Sequence, residues 1–138
     1  MTYISKEQAR NYSPLTLAFL GDGVYELLVR QKIVSGGSMP SKKLHILCVE
    51  KVRASYQAKG VEKIMPMLSE EELDILKRGR NANPNVPKSA SVSEYRLATG
   101  LETLFGYLSL IGKVERIEKL FEVIYEEKFP KSEGSAVD

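Results

Sequence analysis

Residues 17–28, LAFLGDGVYELL, constrain this chain more than any other stretch. The run is apolar almost throughout, yet Asp22 stands in its middle between Gly21 and Gly23. A carboxylate removed from water is costly unless it is paired, coordinated or protonated. Each glycine inside a helix costs about 1 kcal/mol against alanine, so two of them flanking an acid need a reason. Close approach of another backbone, or of a substrate, is such a reason. Asp22 is therefore the first candidate for a functional side chain.

Around this stretch the pattern is all-α. Residues 1–12 are a polar lead-in. Ser13 and Pro14 form an N-cap and a first helical position, and predict a helix over 15–32. That helix is apolar on nearly every side and is expected to run through the core. Within it Glu26 and Arg30 are four apart in the order that favours a surface ion pair. After Ser35-Gly36-Gly37-Ser38, an amphipathic pattern with Leu44, Leu47, Cys48, Val52 and Tyr56 predicts a helix over 41–59, stopped by Gly60. A short apolar turn containing Pro66 follows. Ser69 and Glu72 make a capping box for a helix ending at Arg78-Gly79. Residues 80–89, with Asn81, Asn83, Pro84, Asn85 and Pro87, read as an irregular loop of a length that is usually functional or mobile.

Ser91 and Glu94 suggest a second capping box, opening a helix to about residue 111 with Leu97, Leu101, Leu104, Phe105 and Leu108 on its apolar stripe. Gly112 breaks it, and a last helix over 113–128 presents Ile117, Leu120, Phe121 and Ile124 on one face. Residues 130–138 read as a disordered tail. The expectation is five to seven helices in a single domain over 1–138, a length that suits one core.

Several function classes fall away on composition. No apolar run reaches the length of a membrane span, so no membrane partner is expected, and the N-terminus lacks a signal-peptide pattern. The single cysteine, Cys48, leaves no intramolecular disulfide and no Cys-rich zinc site, and is expected to be a buried inert thiol in a cytoplasmic protein. The one histidine, His45, is expected to be partly buried and structural. No nucleotide-binding glycine loop, HExxH pattern or Ser-His-Asp set is present. The net charge of +2 implies no partner by itself, but its distribution is uneven. Residues 77–96 carry Lys77, Arg78, Arg80, Lys88 and Arg96 against Glu94 alone, a local footprint for phosphate or a solvated face.

A second acid, Glu102, lies in YRLATGLETLFGYL (95–108), beside the stripe made by Leu101 and Phe105. Glycines flank it as they flank Asp22: Gly100 and Gly106. If the two helices approach closely, their carboxylates meet. Hard oxygen ligands of this kind suit Mg²⁺, which binds through one or two carboxylates and keeps waters for a phosphate substrate. Two acids that merely cap or pair within a core fit the same pattern.

The motifs then carry a resemblance. FLGDGVYELL (19–28) is similar to the signature of the ribonuclease III catalytic domain, and LETLFGYL (101–108) resembles that family's second acidic motif. Between them lie Leu44-His45 to Val52, KRGRNA (77–82), Pro87-Lys88 and Tyr95 to Thr99, in the order of the mini-ribonuclease III branch. The matches cover roughly residues 14–125.

The resemblance implies an all-helical, Mg²⁺-dependent endoribonuclease domain. It would act as a homodimer on double-stranded RNA and lack a separate RNA-binding domain. The branch is associated with maturation of the large-subunit (23S-type) ribosomal RNA precursor. Asp22 and Glu102 match its catalytic, metal-binding acids. Larger relatives carry further acids one turn before each, where this chain has Ala18 and Thr99. With no separate RNA-binding domain, phosphate contacts fall to Lys77, Arg78, Arg80, Asn81, Lys88 and Arg96. The alternative is a non-catalytic, ribosome-associated RNA-binding module that has lost part of the site.

Overall fold

The computed structural model describes residues 2–82 and 91–125. Among them are seven α-helices, one 3-10 turn and no strand, as the all-α reading expects. The lead-in is partly structured. Ser5 and Gln8 form a capping box that opens α1 (Lys6–Arg10), and Ile4 N–H donates to Leu110 O at 2.9 Å, holding the N-terminus against the end of α6 (Val92–Leu110).

Helix α2 (Pro14–Val34) begins where Ser13 and Pro14 predict, with Ser13 Oγ accepting from Leu15 N–H at 3.2 Å. It does not run through the core. Leu17, Ala18, Gly21, Tyr25, Val29 and Ile33 form its one buried face, at spacings of about a helical turn. Leu15, Phe19, Leu27 and Val34 are exposed on the rest. The central position belongs to α6, whose buried residues include Ala98, Gly100, Leu101 and all of 103–108. Helices α2, α4 (Ala54–Ile64), α5 (Glu70–Arg80) and α7 (Val114–Ile124) pack around it. Both α2 and α6 are apolar on most sides, so neither pattern alone tells which one is surrounded.

The expected helix over 41–59 is two helices. Helix α3 (Ser41–Val52) ends at Arg53, whose extended backbone (ψ 156°) starts α4 in a new register. Gly60 does not stop a helix either. It lies inside α4, where an added Cβ would come 2.6 Å from Ile124 Cγ2 of α7. The apolar turn at Pro66 is the 3-10 turn Met65–Met67.

Helix α5 opens on the predicted Ser69–Glu72 capping box and continues past the expected end at Arg78-Gly79 to Arg80. Gly79 sits against α6, where a Cβ would come 2.1 Å from Thr103 Oγ1. Glu72, in the first turn, also takes a two-pronged salt bridge from Arg116 of α7, with Nε and Nη2 each 2.8 Å away. Ser91 supplies its half of the second predicted capping box, accepting from Glu94 N–H at 3.1 Å. Gly112, at φ +79°, makes the left-handed turn between α6 and α7. The expected end of the last helix at 128, the tail 130–138 and most of the loop at 80–89 lie outside the described residues.

Candidate active site

The two acid-bearing helices meet backbone to backbone. A Cβ on Gly21 would sit 1.7 Å from Glu102 O, and one on Gly106 would sit 1.8 Å from Leu17 O. No side chain fits at either place, so α2 and α6 touch at the turns that carry Asp22 and Glu102. Of the four glycines near the acids, Gly21 and Gly106 make this contact. Gly100 instead admits Leu76 of α5, whose carbonyl oxygen would be 2.7 Å from an added Cβ, and Gly23 faces open space. Thr103 Oγ1 adds a tie, hydrogen-bonded to Pro14 O at 3.2 Å and to Thr99 O at 2.8 Å.

The carboxylates differ in their surroundings. Asp22 is an exposed residue rather than the buried acid its apolar context predicts, because the rim of the helix contact faces outward. Partial burial, then the charge of Glu26 one turn on, raise its pKa. Glu102 is more enclosed. Burial first, then the charge of Asp22, push it up to about 7, and a hydrogen bond from Gln57 opposes the rise. The Asp22 charge thus reaches Glu102, and a cation bound between them would displace the proton that Glu102 holds below about 7.

Gln57 is the residue that the sequence pattern does not reveal. It is only 3% exposed, and its Nε2 donates to Val52 O at 2.8 Å and to Glu102 Oε2 at 3.4 Å. Its Oε1 is buried and has no hydrogen-bond partner among the described residues. Continued from α3, the helical register points Gln57 away from the apolar face. The break at Arg53 resets it, so that Gln57, Val61 and Ile64 all turn inward. Spacing of 57, 61 and 64 at i, i+4, i+7 is the signal that was available.

Ala18 is buried beneath this contact, and the Thr99 hydroxyl donates to Tyr95 O at 3.1 Å within its own helix. Among the described residues no three His, Cys, Asp or Glu side chains gather into a metal-holding group. The donors on hand are the carboxylates of Asp22 and Glu102 and the unpartnered amide oxygen of Gln57. All three are hard oxygens, which fits Mg²⁺ bound through one or two carboxylates and its own waters.

Three of the basic residues lie on a helix end rather than in a loop. Lys77, Arg78 and Arg80 occupy the last turn of α5, where they also complement the helix dipole, and Asn81 is its C-cap. Lys77, Asn81 and Arg96 are exposed. Arg78 Nη2 reaches Tyr12 O at 3.5 Å, and Arg80 Nε reaches Asn81 Oδ1 at 3.3 Å. The packing of Gly79 on Gly100 and Thr103 places this turn beside the segment of α6 that bears Glu102. Lys88 lies outside the described residues. Of the other singled-out residues, Glu26 pairs with Arg30 and Cys48 is buried, as expected, with burial raising the thiol pKa. His45 is exposed, not partly buried, because it projects from the outer side of α3.

Fold and site define the class: an all-helical domain with two carboxylates on a glycine-mediated helix contact. Comparison with known proteins narrows it. The model of the ribonuclease III domain matches residues 15–113. A mini-ribonuclease 3 of Thermoanaerobacter sp. (strain X514) is 47% identical over 121 residues, spanning 87% of this chain and 85% of that protein. One from Desulfitobacterium hafniense (strain Y51) is 48% identical over 110 residues, spanning 80% and 70%. A crystal structure of a Fusobacterium nucleatum protein superposes with a TM-score of 0.79 at 38% identity, covering 86% of this chain and 97% of that one. The chain belongs to the ribonuclease III domain family of endoribonucleases.

Proposed function

We propose that this protein is a Mg²⁺-dependent endoribonuclease that hydrolyses phosphodiester bonds in double-stranded RNA at Asp22 and Glu102. The observation that carries the reading is the contact of Gly21 and Gly106, which sets those two acids at one helix crossing. Asp22, exposed at the rim, would hold the cation and orient the attacking water; Glu102 would be the second ligand. A divalent cation bound there supplies positive charge at the scissile phosphate and makes water more acidic. In the reaction water oxygen adds to phosphorus, the bond to the leaving ribose oxygen breaks, and that oxygen takes up a proton.

Duplex RNA would be held through its phosphates, with Lys77, Arg78, Arg80, Asn81, Lys88 and Arg96 as the contacts, so binding falls with salt. The working form is a homodimer. Support comes from the exposed row on α2, where Leu15 is 44%, Phe19 85% and Leu27 57% accessible. These positions are four and eight residues apart, one stripe of the helix beside Asp22, and an apolar stripe of this kind marks an association surface. The substrate we infer is a stem of the large-subunit (23S-type) ribosomal RNA precursor, cut in the cytoplasm. Among the described residues no helix is long and apolar enough to cross a membrane.

Incubation of the purified protein with a long RNA stem, with and without Mg²⁺, tests the proposal. Metal-dependent fragments are expected. A stem that is bound but stays intact with Mg²⁺ present would instead establish the non-catalytic RNA-binding module, a reading favoured by the reduction of the acidic set to two.

A further inference from the structure

We propose that Gln57 is a positioning residue for Glu102: its amide N–H groups fix the carboxylate against the end of α3, and its amide oxygen is kept as a buried acceptor for the water shell of a divalent cation. The proposal rests on the reading of Asp22 and Glu102 as cation ligands.

The geometry starts at the helix break. Arg53 interrupts the run from α3 to α4, and the last carbonyls of α3 have no partner within that helix. Gln57 Nε2 donates to one of them, Val52 O, at 2.8 Å and sends its other N–H toward Glu102 Oε2 at 3.4 Å. Both protons of the amide nitrogen are thereby committed. The amide cannot turn over, because that would set Gln57 Oε1 against Val52 O, acceptor against acceptor. Glu102 therefore always meets an N–H at this edge, and an N–H favours the charged carboxylate. At 3.4 Å the bond is long for a charge-assisted one, so the carboxylate keeps room to move toward a ligand.

The oxygen is the second observation. Gln57 is nearly fully buried, and its Oε1 is the one buried side-chain oxygen or nitrogen without a partner among the described residues. Leaving such a group unsatisfied is unfavourable, and methionine or leucine would fill the same space without it. A brace between α3 and α4 needs only the nitrogen. An unpartnered acceptor on the side chain that meets Glu102 suits a cation that binds through its waters, since those waters need acceptors.

The test uses the full chain with Mn²⁺ as the probe, free of RNA, and compares wild type with Gln57→Met and Gln57→Leu. Binding is followed by electron paramagnetic resonance and thermal stability by calorimetry. The expected result is a loss of about tenfold or more in Mn²⁺ affinity, with Tm unchanged or higher because the unsatisfied oxygen is gone. Wild-type affinity in the variants, with a lower Tm, would make Gln57 a structural brace and overturn the proposal while leaving the cation site standing. Failure of the folded wild type to bind Mn²⁺ would overturn both. A measurement on wild type alone covers variants that do not fold. The Gln57 side-chain NH₂ resonances should shift on titration with Mg²⁺, and resonances unmoved at saturation would refute the assignment.

Discussion

Glu102→Gln should make the cation-free protein more stable at pH 8 and leave its stability near pH 4 unchanged. In the unfolded chain Glu102 ionises near its ordinary 4.5; in the folded protein it does so only at about 7, first because it is buried and second because Asp22 is charged nearby. Between those values the unfolded chain holds fewer protons than the folded one, so stability falls as pH rises, and above 7 the full cost is present. At about 1.4 kcal/mol per pH unit the cost reaches about 3 kcal/mol. Glutamine has the same shape and can still accept the Gln57 N–H through its amide oxygen, but it does not ionise. For a chain of this length the gain at pH 8 corresponds to about 10 °C in Tm. Calorimetry of both proteins across pH 4–8, with a chelator and at one protein concentration, reads the difference directly. Saturating Mg²⁺ should then narrow the gap, since only the wild type retains both ligands. A Tm difference that does not vary with pH, or a variant less stable at pH 8, would refute the reasoning.

Two further perturbations probe the frame around the site. Phe19→Glu should leave the fold intact, because Phe19 is 85% exposed, and should turn a dimer into a monomer in sedimentation; a dimer of undiminished affinity would remove α2 from the interface. Gly106→Ala forces its new Cβ toward Leu17 O, 1.8 Å away, and should cost about 3 kcal/mol or more in urea unfolding as α2 and α6 are driven apart; a loss below about 1 kcal/mol would mean that the helices do not touch there.

The features legible in the chain were the local ones. Ser13-Pro14 and Ser69 with Glu72 start their helices as predicted, because a cap is decided within four residues. The glycines were harder. Gly60 looks like a helix stop yet lies inside α4, and Gly79, in the last turn of α5 as expected, also serves a contact. Ile124 and Thr103 pack closely on them, and that is set by the partner helix. Likewise nothing in Arg53-Ala54-Ser55 breaks a helix locally. The interruption is legible only together with the bond from Gln57 to Val52 O that it permits. The same interruption hid Gln57 by shifting the register of α4. Asp22 and Glu102 stood out because acids amid apolar residues are rare, and Gly21 and Gly106 forecast the helix contact. The outward placement of Asp22 was not legible, since an apolar helix shows which residues avoid water and not which of them a second molecule covers.

The central claim is that Asp22 is needed for hydrolysis and not for folding or for holding RNA. Single-turnover cleavage of a long RNA duplex by Asp22→Asn, beside wild type at the same Mg²⁺ and salt, tests it most directly. The expected result is loss of cleavage with duplex affinity and thermal unfolding close to wild type. Cutting of the duplex at the wild-type rate would contradict it.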